Sequence, residues 1–253
     1  MNESDDLKGL LQRWPYDPEN DTRLIRGDDG RELLQVRTVL GIEQFEADGR
    51  PDGMRPHDMD SALEYYQQQY DDARKAGRGS DFDLSPEDCS ELFHEGTLYY
   101  FRYVRFFQLR DWQRTIRDTA RNLRAFDFIH AHARREEDRE FLEKWRPYIL
   151  RVNASAAAMF EVERQAYEQG AKVVDEAIAN IEGLEDQDDE TFKFERDRSL
   201  MALRDLSEQI LKNRPLSKVE QLEHQLNRAI EKQEFERAAQ LRDRIRELKK
   251  NEA

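Results

Sequence analysis

Two runs of apolar residues near the C-terminus constrain the fold more than any other feature of the sequence. Both runs space their apolar residues three or four positions apart, which aligns side chains along one face of an α-helix. The runs consist of Val219, Leu222, Leu226 and Ala229, followed by Ala238, Leu241, Ile245 and Leu248. The polar segment 232–234 separates them, so the sequence predicts an antiparallel helical hairpin over residues 214–253.

The composition near the predicted turn indicates how the two helices meet. Ala229, Ala238 and Ala239 have short side chains that allow a close approach, and Phe235 is expected to fold over the open end. A unit of about 40 residues rarely buries enough apolar surface to be stable alone. The sequence therefore predicts that the hairpin docks onto another protein chain, with packing on this protein's own helices as the alternative.

The hairpin sequence resembles the UVR motif of the UvrB and UvrC nucleotide-excision-repair proteins. Some Clp-family unfoldase subunits and an activator of bacterial protein arginine kinases share this motif. The residues that carry the resemblance are Leu222, Leu226, Ala229, Ile230, Phe235, Glu236, Ala238, Ala239, Leu241, Arg242, Asp243, Ile245 and Leu248. They cover about one-seventh of the chain.

The resemblance implies a function in binding and not in catalysis. In UVR-containing families the hairpin pairs with another UVR hairpin or a similar helical surface. We therefore expect a bacterial adaptor or scaffold that binds a helical protein, or itself as a homodimer, in a DNA-repair or protein-quality-control machine. The residues expected to contact the partner are Leu222, Leu226, Phe235, Ala239, Leu241, Arg242 and Ile245.

The composition of the whole chain favours helices with one apolar face. Hydrophobic and charged residues each make up 38% of the sequence, a balance that suits solvated helices better than a thick core. The acidic N-terminus and the lack of a long apolar run predict a cytoplasmic protein with no membrane contact. Cys89 is the only cysteine, which excludes an internal disulfide and a thiolate zinc site within one chain.

The preceding residues divide into a short N-terminal region and a helical body. Residues 1–57 combine a short helix with two or three strands, because Leu34, Val36, Thr38 and Leu40 alternate with polar residues as in a half-buried β-meander. Residues 58–213 form the helical body. The predicted fold class is therefore mainly α, with a helical bundle or helical-hairpin body, an N-terminal β-meander and a C-terminal antiparallel helical hairpin.

Local signals place the helices of the body. Ser85-Pro86 predicts a helix start, because serine can cap the helix and proline fits its first turn. A break at 109–111 predicts a helical hairpin with Ile116, Leu123 and Phe126 facing inward, and its sequence is weakly similar to a tetratricopeptide repeat. Beyond it, we expect one helix over 136–181, interrupted at Pro147.

A cluster of arginines suggests a second kind of surface. Five of them recur at helical spacing and can share one face: Arg110, Arg114, Arg117, Arg121 and Arg124. This face could contact nucleic acid as part of a DNA-repair accessory protein, or it could pair with the acidic N-terminal region. Residues 1–100 carry 24 acidic and 11 basic side chains, against 31 and 30 in the remainder, so an internal acidic partner is available.

No pattern in the sequence indicates an enzyme, a metal site or a cofactor. His130 and His132 are two positions apart, which directs them to different sides of a helix. The sequence contains no phosphate-binding loop, dinucleotide-binding glycine pattern or nucleophile elbow. Cys89 lies near a predicted helix N-terminus, where its pKa could be lowered, but no base is evident beside it.

Overall fold

The computed structural model describes residues 7–216 and 218–251. The chain divides into two compact units, Met1–Glu208 and Gln209–Ala253. The first unit contains a three-stranded sheet and a helical body, and the second contains the C-terminal hairpin. The predicted class, mainly α with a small N-terminal sheet and a C-terminal helix pair, is confirmed.

The sheet is an antiparallel meander in the order β1-β2-β3, with bounds Thr22–Arg26, Glu32–Arg37 and Ile42–Glu46. Leu34 in the central strand pairs with Leu24 on one side and Phe45 on the other. The side chain of Leu34 is fully buried and packs with Phe106 of the helical body. The sheet therefore gains its apolar contacts from the helices, as expected for a meander too small to be stable alone.

In the described residues, one α-helix precedes the sheet and seven lie between the sheet and the C-terminal hairpin. They are α1 (Lys8–Arg13), α2 (Ala62–Lys75), α3 (Pro86–Gln108), α4 (Trp112–His132), α5 (Glu136–Glu140), α6 (Arg146–Glu163), α7 (Tyr167–Glu182) and α8 (Glu190–Asn213). The helix α4 packs against both α3 and α6, and α6 packs against α7. These packed pairs form the helical body.

The predicted helical hairpin is formed by α3 and α4. Ser85 caps α3 by accepting a hydrogen bond from the Asp88 backbone N–H, and the Asp88 carboxylate accepts one from the Ser85 N–H in return. The connection to α4 contains Arg110 at a positive φ of 59°, and the Asp111 side chain caps α4. The expected helix start and the expected break are both confirmed.

The prediction of one helix over 136–181 with a break at Pro147 is wrong. Pro147 lies in the first turn of α6, where a proline loses no hydrogen bond because the first backbone N–H groups of a helix have no partner. The chain instead leaves the helix after Glu140 and again between Glu163 and Tyr167, where Gln165 has a φ of +64°. A positive φ at a non-glycine residue gives no clear sequence signal.

A buried ion pair joins the sheet to the helical body. Arg102 is fully buried, and its guanidinium donates hydrogen bonds to both carboxylate oxygens of Asp118 at 2.7 and 2.8 Å. It also donates to the backbone carbonyls of Glu46 and Gly49, each at 2.8 Å. One arginine therefore connects α3 and α4 with the end of β3 and the turn that follows it.

Glu95 of α3 forms a similar buried connection to the start of α2. Its buried carboxylate accepts hydrogen bonds from the backbone N–H groups of Ala62 at 2.7 Å and Leu63 at 3.2 Å. Arg121 forms an ion pair with it, and Arg50 approaches to 3.4 Å. A carboxylate from α3 thus satisfies backbone donors at the N-terminus of α2, which would otherwise be unpaired.

No helix in residues 7–216 or 218–251 is both long enough and apolar enough to cross a membrane.

Candidate protein-binding site

The C-terminal hairpin consists of α9 (Lys218–Glu231) and α10 (Phe235–Asn251). Between them Gln233 adopts a φ of 58°, and the Glu234 backbone N–H donates to the Ala229 carbonyl at 2.8 Å. This bond satisfies a terminal carbonyl of α9 and ends the helix, as in other helix C-caps with a left-handed residue. The predicted division at 232–234 is confirmed.

The interior of the hairpin is narrow. Its buried apolar side chains are Val219, Ala229, Ala238 and Ile245, and the half-buried ones are Leu222, Leu226, Leu241 and Leu248. Lys249 near the end of α10 donates to Glu223 near the start of α9 at 2.8 Å, which shows that the helices run antiparallel. The seam predicted from the spacing is therefore the contact between α9 and α10.

The residues expected to contact a partner fall into three groups. Phe235, Ala239 and Arg242 are exposed, whereas Leu222, Leu226 and Leu241 are half-buried along the seam. Ile245 is 8% exposed and packs inside the hairpin. The first group is accessible to another protein as it stands, and Ile245 contributes to the stability of the hairpin.

The expected positions of Phe235 and Ala239 are wrong. Phe235 does not fold over the open end of the hairpin, because 69% of its surface is exposed. Ala239 is also exposed and does not lie between the helices, a role taken by Ala229 and Ala238. Phe235 is the first residue of α10 and is not among the residues of the seam.

Ile230 is a further exposed apolar residue that the spacing did not select as a contact. Its side chain is 51% exposed. It follows the buried Ala229 directly, and adjacent helical residues differ by about 100° in direction. Its place directly beside a seam residue is the sequence feature that could have predicted this exposure. Ile230 lies in the last turn of α9 and Phe235 is the first residue of α10, so both are next to the turn of the hairpin.

A comparison with protein-family models identifies the hairpin. Residues 217–251 match the model described as the UvrB/uvrC motif. The hairpin is a UVR motif. Searches of curated proteins and of solved structures found no match to the chain.

The five arginines of the predicted basic face have different environments. Arg110 and Arg124 are exposed. Arg114 donates to Glu32 at 2.6 Å and to Asp111 at 3.0 Å. The structure thus places part of the face against acidic residues of the N-terminal region.

Arg117 and Arg121 complete the face. Arg117 is partly exposed, whereas Arg121 is buried. Arg117 forms ion pairs with Asp48 and Asp118. Arg121 is 6% exposed, its guanidinium lies 4.2 Å from the centre of the Tyr99 ring, and burial lowers its pKa to about 9. Phosphate groups bind exposed cations, so this arrangement favours a structural role for the face.

The environment of Cys89 gives its thiol a different pKa from the one expected. It is fully buried in the apolar cluster of α2, α3 and α4. Burial, together with the negative charges of Asp138 and Asp88, raises the pKa of its thiol to about 12. The suggested lowering of the pKa is wrong, because loss of hydration disfavours the thiolate more than the helix N-terminus favours it.

Proposed function

We propose that this protein is a non-enzymatic adaptor that binds through the turn of its UVR hairpin to another UVR-type hairpin, on a second copy or on a different protein. The observation that carries the proposal is the exposure of two large apolar side chains, Ile230 and Phe235, at that turn. Exposed aromatic residues that leave water on binding are typical anchors of protein interfaces.

The composition of the hairpin supports a helical partner. Its interior contains few large side chains, so it benefits from a second surface that covers Leu222, Leu226 and Leu241. Another helical hairpin offers ridges of matching spacing into which these side chains pack. Exposed Arg242 adds a donor for a carboxylate on the partner.

Two substitutions test the proposal while preserving the helices. Phe235→Asp places an acid at the first position of α10, and Ile230→Lys places a base in the last turn of α9. Both changes are compatible with the helix dipole. Leu40→Asp is a matched control, because Leu40 is 89% exposed and lies in the first unit. Circular dichroism should show equal helix content in all three variants.

Sedimentation velocity and affinity capture then separate the two kinds of partner. Dimerisation that persists in Leu40→Asp and is lost in Phe235→Asp and Ile230→Lys supports pairing between two copies. If the wild type is a monomer, capture from lysate followed by mass spectrometry should recover a protein with a UVR-type hairpin, which both hairpin variants fail to bind. A monomeric wild type whose captured proteins do not depend on these two side chains contradicts the proposal.

A further inference from the structure

The helical body encloses an aromatic cavity of about 440 Å³. Its walls come from α3, α4, α6, α8 and the segment between α5 and α6, all within the first unit. Six of its aromatic side chains are Tyr100, Tyr103, Phe126, Phe141, Trp145 and Tyr148. Tyr103 and Phe126 are buried, whereas Phe141 and Trp145 are partly open to solvent. The volume lies within the range of about 300–1,000 Å³ typical of small-molecule sites.

One acidic side chain in the cavity wall has an unused hydrogen-bond acceptor. Glu195 is 6% exposed, and its buried Oε2 accepts no hydrogen bond from the described residues. The nearest cations are Arg151, whose Nη2 lies 4.0 Å from Oε2, and Arg198, whose Nη1 lies 3.5 Å from Oε1. A buried acceptor without a donor is unfavourable, and a ligand that supplies the donor removes that penalty.

Three tyrosine hydroxyls add polar groups to the same cavity. The ring centroids of Tyr103 and Tyr148 lie 5.6 and 6.2 Å from that of Tyr100. None of the three hydroxyls hydrogen-bonds to a residue in the described part of the chain. Burial raises the pKa of Tyr148 to about 12 and holds that of Tyr103 well above its usual value of 10, so these two hydroxyls stay protonated and can donate.

We infer that this cavity binds a small, uncharged aromatic molecule that donates an N–H hydrogen bond to Glu195 Oε2 and stacks between the aromatic side chains. The stacking follows from the ring faces and edges that line the walls. A cationic ligand is disfavoured because Arg151 and Arg198 already supply two positive charges beside one carboxylate. An anionic ligand is disfavoured because it would meet the buried charge of Glu195.

A pair of ligands that differ in one hydrogen-bond donor tests the inference on the full chain. Benzimidazole has the required ring N–H, and 1-methylbenzimidazole has the same rings without it. In a ¹H–¹⁵N NMR titration, benzimidazole should shift the side-chain N–H signal of Trp145 in a saturable manner. The methylated compound should bind at least about tenfold more weakly, because a hydrogen bond to a charged group is lost.

Two variants locate the binding. Gly96 lies in the cavity wall, and a Cβ there would meet only Asn122 Oδ1 at 3.9 Å. Gly96→Leu should therefore fill the cavity and abolish binding. Gly9→Leu is its control, since Gly9 is also helical and has open space around it. Glu195→Leu removes the acceptor, and the two ligands should then bind equally.

The outcomes that overturn the inference are distinct. They are the absence of saturable binding by benzimidazole, equal affinity of both ligands for the wild type, or wild-type affinity in Gly96→Leu. A melting temperature of Gly96→Leu close to that of Gly9→Leu shows that loss of binding does not reflect unfolding. Because the hairpin is unchanged in every variant, failure of this inference leaves the proposed partner binding unaffected.

Discussion

The first unit and the C-terminal hairpin use charged side chains in different ways. In the first unit, Arg102 and Asp118 form an ion pair with 0% and 1% of their side chains exposed. In the hairpin, Lys249 and Glu223 form theirs with 58% and 43% exposed. A buried pair with all its hydrogen bonds fixes one arrangement of the chain, whereas an exposed pair contributes little because water competes for both groups. The buried pair thus helps to fix the arrangement of the first unit, whereas the exposed pair adds little to the apolar seam of the hairpin.

Breaking the buried ion pair should reduce the stability of the protein more than any other change predicted below. Asp118→Ala leaves the Arg102 guanidinium buried without its carboxylate, and we expect the free energy of unfolding to fall by about 3–5 kcal/mol. Urea denaturation followed by circular dichroism measures the change. Labelling of the buried Cys89 thiol should accelerate in parallel, since this thiol reacts when the first unit opens. A loss below 1 kcal/mol would show that the two units do not differ in the proposed way.

A truncation in the hairpin seam should cause a smaller loss of stability. Ile245→Ala removes one of the larger buried side chains of the hairpin, and such truncations cost about 2–5 kcal/mol in a complete core. Because the seam is only partly buried, we expect a value near the lower limit. Amide hydrogen exchange should accelerate in α9 and α10 and stay unchanged in α3 and α4. Equal acceleration in both regions would mean that the two units unfold together.

The pH dependence of the free energy of unfolding isolates the contribution of the Asp48 carboxylate. Burial raises the pKa of this carboxyl, but hydrogen bonds from Arg117 and Arg114 outweigh that effect and hold it below the usual 3.8. A lowered pKa stabilises the fold above pH 3.8, and this contribution disappears as the pH falls through the lowered value. Since the side chain is 68% exposed, solvent screening limits the contribution to below about 1 kcal/mol.

Asp48→Asn provides the measurement. The variant should be less stable than the wild type at pH 6, and the difference should shrink as the pH is lowered towards 3 in urea titrations. A difference that stays constant between these pH values would show that Asp48 does not act through its charge.

The smallest effect is expected from the exposed pair of the hairpin. Lys249→Ala removes the cation that pairs with Glu223, and we expect a change in the free energy of unfolding below about 0.5 kcal/mol. Urea denaturation at low and high salt measures it, and Lys250→Ala is the control at the adjacent exposed position. A loss above 1 kcal/mol would show that this exposed pair stabilises the hairpin strongly, as the buried pair of Arg102 and Asp118 stabilises the first unit.

The sequence predicted those elements that depend on neighbours along the chain. The seam of the hairpin and the cap formed by Ser85 depend on residues three or four positions apart, so local patterns revealed them. The predicted alternation from Leu34 to Leu40 is wrong in detail, because β2 ends at Arg37 and Leu40 is 89% exposed. Gln165 and Pro147 show the limit of this approach. The break at Gln165 is a single backbone conformation without a preferred residue type, and a proline can either interrupt a helix or begin one.

The candidate sites required more than local pattern. The spacing predicted the helix that carries Arg114, Arg117 and Arg121, but not which of them would meet Asp48 or Glu95. Those acidic partners lie far away in the sequence. For the same reason Glu195, in an ordinary charged stretch of α8, gave no indication that it would line an aromatic cavity with residues from α3.

By itself, the sequence determined that this protein is mainly helical and contains a UVR hairpin, because helical periodicity and helix caps act over three or four residues. Only the tertiary structure decided that Arg102 and Arg121 are buried, that Ile230 and Phe235 are exposed, and that Glu195 lines a cavity. Burial depends on which distant segments pack together, and the free energy of a charged group depends on that surrounding more than on its position in a helix.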